Sequence, residues 1–264
     1  MAAGRGAATV TDAVRWLGHA SVVLDLGGQR LLTDPLLRRH AGLLRRRGAA
    51  PAVQSWASPD AVLVSHLHHD HAELGSLHLL DDVPTLAAAA NARWLREHGV
   101  PAAVGLDDHE WWDLPGGDVR VRRVPADHGH RPMPHRPNAV TGFVVRTPSL
   151  VCWFAGDTGP FPQMRDLARF AGAPIDLAIV PVGGWGPRLS GGHLDPVQAA
   201  VAVALCGARL ALPVHWGTLH PPAGRQLPPG WMDRAGAAFA QACARHAPGC
   251  RPLVLELGEQ TVLD

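Results

Sequence analysis

The sequence predicts an α/β protein in which two mixed β-sheets are covered by helices, in a single domain spanning 1–264. Three observations lead there. Short apolar runs come first as hairpins and later alternate with helical stretches, in both halves of the chain, which argues against a purely parallel doubly wound sheet. The 264 residues are 47% hydrophobic and 18% charged, enough apolar material for one sizeable core. No short-period repeat, low-complexity tract or linker divides them.

The elements follow in order. "AVRWLGHASVVLDLGGQRLLTDP" (13–35) reads as short strands broken at Gly18 and at Gly27-Gly28, a hairpin signal. "DAVLVSH" (60–66) is a compact apolar run ending in polar residues, as expected of a buried strand whose C-terminal end opens into a site. Residues 87–98, "AAAANARWLREH", read as a helix stopped by Gly99. Strands are expected at 118–124, 139–146, 150–155 and 176–182, then a helix at 195–206, a strand at 209–214 and a helix near 231–246. Asp195, Pro196 and Gln198 supply the N-cap, first-turn proline and capping-box partner of the helix at 195–206. The Pro-rich "RPMPHRP" (131–137) is expected as a loop over the site.

Charge narrows the partners. A net charge of +1 offers no field to gather nucleic acid, and none is expected as a partner. All 24 basic residues are arginine, and the densest run is "RRHAGLLRRRG" (38–48). It reads as a solvated loop with Leu43 and Leu44 packed inward, the competing reading being recruitment of a phosphorylated substrate or an anionic lipid surface. Cys152, Cys206, Cys243 and Cys250 lie far apart without CxxC spacing, which suits reduced, largely buried thiols. With no apolar leader and no run of roughly 18 apolar residues, no transmembrane segment and a cytoplasmic location are expected.

Chemistry concentrates in "SHLHHDH" (65–71), four histidines and an aspartate in seven positions. The useful pattern is His66-x-His68-x-Asp70-His71. His66 and His68, two apart at a strand end, can aim at one point if the backbone turns, and Asp70 and His71 then face a second. His69 fills a variable, loop-facing slot. Three more polar residues follow strands: His128 in "VPADHGH", Asp157 in "VCWFAGDTG" and His215 in "LALPVHWGT". The glycines around Asp157 permit close backbone approach. One such residue would be unremarkable; four strand-end events in one chain point to a metal site.

Taken together, "SHLHHDH", "ADHGH", "FAGDTG" and "PVHWGT" resemble the metallo-β-lactamase superfamily, over nearly the whole chain. "GHASVVLDLGGQRLLTDP" and "GGHLDPVQAA" followed by "HWGT" resemble the branch holding the ascorbate-phosphate lactonase-like and N-acyl-phosphatidylethanolamine phospholipase D-type proteins. The resemblance implies a four-layer αββα sandwich with a metal pair between the sheets. It would place His66, His68 and His128 on the first ion, Asp70, His71 and His215 on the second, and Asp157 between them. Two divalent ions are implied, zinc being the first choice, with manganese and iron left open because no cysteine ligand narrows the field. After "ADH" the chain departs from the branch with Gly129-His130-Arg131-Pro132, which sets His130 against His128 as third histidine.

Supporting residues are expected nearby. Asp34 in "LLTDP" could hold the far nitrogen of a ligand histidine. His19 is either in the same neighbourhood or a satisfied buried histidine, and His193 either faces substrate at a helix N-terminus or serves the loop. Trp185 in "PVGGWGP" (181–187) is expected to wall the pocket; that stretch lacks the Lys-Ser/Thr of a phosphate loop. The functional expectation is a dinuclear hydrolase using a metal-bound hydroxide, with Asp70 and His193 as catalytic candidates. The expected substrate is a small-molecule or lipid-like phosphodiester or phospholipid-like ester. A lactonase acting on a sugar-acid lactone and a non-catalytic metal-binding or sensing protein are the alternatives.

Overall fold

The computed structural model describes residues 11–263 apart from 81, 109, 130–132 and 134. The opening hairpins form as antiparallel strands β1 (Ala13–Gly18), β2 (Ser21–Leu26) and β3 (Gln29–Thr33). Gly27 and Gly28 turn the second hairpin at φ 57° and 79°, left-handed backbone that costs glycine nothing sterically. A short hairpin of β4 (His40–Ala41) and β5 (Leu44–Arg46) then leaves the sheet. The chain returns in parallel strands β6 (Ala61–Leu63), β7 (Thr85–Ala88) and β8 (Ala103–Leu106), connected through α1 (Leu74–Leu77) and α2 (Ala89–Glu97).

The second half repeats this order. Antiparallel β9 (Trp111–Asp113), β10 (Arg120–Val124), β11 (Gly142–Arg146) and β12 (Val151–Phe154) precede parallel β13 (Leu177–Pro181) and β14 (Leu210–Val214). Helices α3 (Leu167–Ala171), α4 (Pro196–Cys206) and α5 (Ala235–His246) and short strands β15 (Leu219–His220), β16 (Arg251–Pro252) and β17 (Gln260–Val262) complete the elements. Among the described residues the strands build two seven-stranded mixed sheets, ordered β17-β1-β2-β3-β6-β7-β8 and β16-β14-β13-β12-β11-β10-β9, and a ribbon β15-β5-β4.

Side-chain alternation makes the layers. Val22 and Leu24 of β2 join Phe143, Val145, Leu210 and Leu212 in the core between the sheets, whereas Val23 faces the other way, with Trp94 and Leu95 of α2. Likewise Ala211 of β14 turns outward to Val203 of α4 and Phe239 of α5. Each sheet therefore buries one face on the other sheet and one on helices, the expected αββα sandwich. Burial of a Leu, Val or Phe side chain in these cores contributes roughly 1.5–3 kcal/mol. The capping box of α4 forms as read: Asp195 accepts from Val197 N and Gln198 N, and the Gln198 side chain accepts from Asp195 N.

Two local expectations are corrected. The helix read over 87–98 begins at Ala89, because Thr85–Ala88 pair on both edges as β7; pairing in the sheet overrides the helical preference of alanine. Leu43 does not pack inward with Leu44: it is 87% exposed at the tip of the β4–β5 hairpin, while Leu44 packs against Leu36, Ala41 and Leu219. All four cysteines are free, and among the described residues no helix is long and apolar enough to cross a membrane.

Candidate metal centre

Every sequence-selected residue except His130, which lies outside the described residues, can be placed, and the candidate ligands converge. His66, His68, Asp70 and His71 occupy the turn after β6, Asp34 follows β3, His128 follows β10, Asp157 follows β12 and His215 follows β14. These are carboxyl ends of strands from both sheets, where open α/β sheets put their sites. Gly156 lets the two sheets approach here. It has φ 62°, and a Cβ on it would lie 2.6 Å from Ser65 Cβ.

The side chains fall into two facing groups. His66, His68, His128 and Asp157 each offer a ligand atom within 4.8 Å of the others, and so do His19, Asp70, His71 and His215. In the first, His66 Nε2 stands 2.9 Å and His128 Nε2 3.2 Å from His68 Nδ1. In the second, His71 Nε2 is 3.1 Å from His215 Nε2, with Asp70 Oδ2 at 3.8 and 3.7 Å from the two. Asp157 lies between the groups. Its Oδ2 is 4.0 Å from His66 Nε2, 3.9 Å from His128 Nε2 and 3.2 Å from His71 Nε2, and its Oδ1 is 3.2 Å from His215 Nε2.

Imidazole nitrogens aimed at one another, with a buried carboxylate oxygen (Asp157 Oδ1) making no hydrogen bond among the described residues, fit a cation better than an internal network. The donor set is nitrogen and carboxylate oxygen, which suits first-row divalent ions. Backbone and side-chain partners on the far nitrogens agree. His71 Nδ1 donates to Asp34 Oδ2 at 2.7 Å, His128 Nδ1 to Gly192 O at 2.7 Å and His215 Nδ1 to Gly183 O at 2.9 Å. Each leaves Nε2 facing the centre. Asp34 is in turn held by Ser65, whose N and Oγ donate at 2.7 and 2.6 Å.

Electrostatics separates the groups. Burial, reinforced by His71, holds His66 well below the ordinary histidine value and lowers His68 to about 4; burial also lowers His128. Their lone pairs are free at neutral pH. Burial is again the largest influence and opposes protonation of His71 and His215, but the carboxylates together overcome it, Asp157 and Asp70 at both and Asp34 at His71. His71 is raised well above the ordinary value and His215 to about 9. Asp70 and Asp157 stay well below the usual carboxylate range, because the surrounding histidines overcome their burial. Without a cation this half of the centre holds protons that a metal would displace.

His19 and His193 are also here. His19 Nε2 donates to Asp70 Oδ2 at 2.9 Å, and burial, with His215 adding to it, lowers its pKa to about 3. His193 Nε2 is 3.3 Å from Asp157 Oδ2, and its Nδ1 meets Ser190 O at 3.0 Å. Three of the converging residues adopt left-handed backbone: His19 at φ 53°, Asp34 at 33° and His215 at 65°, a strain that clusters at functional sites. His69 is exposed and outside both groups. The described part of the Pro-rich loop docks beside the motif, Arg136 Nη1 donating to Leu67 O at 2.9 Å.

Sequence reasoning missed Asn138, whose Nδ2 lies 3.1 Å from His68 Nε2 while its Oδ1 accepts from Leu67 N at 3.0 Å. Nothing in its neighbourhood marks it. Trp185 is 47% exposed; a separate cavity of about 300 Å³ behind its loop is walled by Trp216 and Trp231 and includes none of the candidate ligands.

Comparison with known proteins bears on the family and the fold. A family model described as "Beta-lactamase superfamily domain" matches residues 29–216. A UPF0173 metal-dependent hydrolase of Deinococcus radiodurans is 34% identical over 209 residues, 78% of this chain and 84% of the relative. The N-acyl-phosphatidylethanolamine-hydrolyzing phospholipase D 1 of Caenorhabditis elegans is 27% identical over 225 residues, 77% of this chain and 63% of its own. Among solved structures, the metallo hydrolase Igni18 of Ignicoccus hospitalis superposes with a TM-score of 0.74 at 18% identity, covering 96% of this chain and 99% of that one.

Proposed function

This chain belongs to the metallo-β-lactamase superfamily of metal-dependent hydrolases, and from that premise we propose a two-metal hydrolase of phosphodiesters or phospholipid-like esters. The observation that carries the two-metal reading is Asp157 set between two groups of converging imidazoles. His66, His68 and His128 would hold one ion, Asp70, His71 and His215 the other, and Asp157 both; zinc suits these donors best. A pair of divalent ions held there would supply Lewis acidity toward a water and the ester oxygen and would lower the water's pKa toward about 7.

The chain's own groups would do the rest. Asp70, fixed by the proton that His19 donates, orients the attacking water and accepts its proton. His193, beside Asp157 on the approach to α4, protonates the oxygen that leaves as the ester bond to phosphorus breaks. The substrate class is supported by the likeness to a phospholipase D at 27% identity, a protein named for hydrolysing N-acyl-phosphatidylethanolamine.

The test is a panel of bis-aryl phosphate, N-acyl phospholipid, lactone and phosphomonoester on metal-quantified protein. Metal-dependent phosphodiester turnover that falls by at least about 10²–10³ in Asp157→Ala is expected, the scale of losing a principal electrostatic element. Turnover of lactones alone would replace the substrate class, and no turnover with both ions bound would favour a sensing role.

A further inference from the structure

The arginine-rich hairpin that sequence left between a solvated loop and a recruiting surface has a definite shape. Its ribbon, with the loop after β15, bounds a concave surface of about 390 Å³ whose lining, among the described residues, includes five arginines and two histidines and no carboxylate. A chain of net charge +1 has no general basic excess to explain this. Two of the five arginines are used internally. Arg46 turns inward and donates to the carbonyls of Leu17, Leu36 and Ala49, and Arg47 pairs with Asp233. Arg39, Arg45 and Arg225 have no carboxylate partner among the described residues.

The two segments that supply Arg45 and Arg225 to this surface also carry exposed leucines. Leu43 (87%) and Leu227 (67%) are the two most exposed large hydrophobic side chains among the described residues. Each stands two residues from a free arginine, Arg45 or Arg225. Exposed leucine has no function in capturing a soluble anion, whereas apolar anchors beside unpaired arginines match the boundary between lipid headgroups and acyl chains.

We infer that this face docks on an anionic lipid bilayer, with Leu43 and Leu227 entering the headgroup boundary and Arg39, Arg45 and Arg225 holding phosphate headgroups. The hairpin tip also touches the metal motif: a Cβ on Gly42 would lie 3.7 Å from His69 Cβ, so docking there brings the turn carrying His66–His71 near the bilayer. The docking does not depend on the phosphodiester reading, because it is measured without turnover.

The experiment is co-sedimentation of the full metal-loaded chain with phosphatidylcholine vesicles, with and without phosphatidylglycerol. Binding to the mixed vesicles and not to the neutral ones, weakened by added salt, is expected. Arg45→Ala with Arg225→Ala should lower partitioning about thirtyfold, from roughly 1 kcal/mol per arginine near an anionic surface. Leu43→Ser with Leu227→Ser should lower it as well, while Arg165→Ala, outside this surface, should not. All the substituted positions are surface side chains, and an unchanged melting temperature confirms folding. Absence of binding to anionic vesicles, equal binding to neutral ones, or indifference to both double variants overturns the inference. Capture of inorganic tripolyphosphate without vesicle binding also overturns it, by assigning the cradle to a soluble anion.

Discussion

Asp34→Asn is a small change with a large expected consequence. Asp34 is fully buried and accepts three hydrogen bonds, from Ser65 N, Ser65 Oγ and His71 Nδ1. Asparagine keeps the shape and tolerates the φ of 33° found there. It nevertheless exchanges one acceptor oxygen for a donor. With its oxygen on Ser65 N, the amide nitrogen faces Ser65 Oγ, which can rotate to accept, and His71 Nδ1, which cannot donate to it. His71 must then carry its proton on Nε2, the nitrogen that faces Asp157 and His215. That is the wrong tautomer for a ligand. Loss of such a supporting partner typically costs 10–100-fold in metal affinity, about 1.4–2.7 kcal/mol. The assay is equilibrium competition with a chromophoric chelator, resolving the tighter and weaker ions. An unchanged affinity for both would show that Asp34 does not set the histidine's proton.

Other consequences can be checked alongside. His69→Ala should leave metal content unchanged and His71→Ala should lose an ion; the reverse would show that the register within 65–71 is wrong. Gly192→Ala should weaken the ion held by His128, since a Cβ there would lie 2.2 Å from the His128 carbonyl oxygen and Gly192 O holds His128 Nδ1; full metal content in that variant would refute the coupling. For the metal-free protein, His68 and His19 fall from the ordinary 6.5 to about 4 and about 3, so their contribution is full above pH 6.5 and is lost as pH falls toward those values. His215, raised to about 9, works oppositely, its contribution being full below 6.5 and lost as pH rises through about 9. Melting temperature should decline on both sides of neutrality, and a flat profile from acid to neutral would contradict this.

The candidate ligand residues were legible because each is a side chain with a metal's preference placed where an apolar run stops. Asp34 could be picked out for the same reason, while His19 stayed undecided. What supports them was less legible. The Gly183 and Gly192 carbonyls that hold His215 and His128 carry no side-chain signal, and Asn138 meets His68 only because the sandwich folds a distant loop onto the motif. The sheets were readable from their long apolar runs, but β7 was hidden in an alanine stretch whose strand state depends on neighbours at β6 and β8. Leu43 was misplaced because periodicity says nothing about a hairpin tip that finds no partner to pack on.

Elemental analysis of the chain purified without chelator, freed of loosely held metal and assayed against protein concentration, addresses the central claim most directly. The arrangement of His66, His68 and His128 opposite Asp70, His71 and His215, with Asp157 between, predicts two divalent ions per chain. One ion, or none, under metal-replete conditions would contradict it.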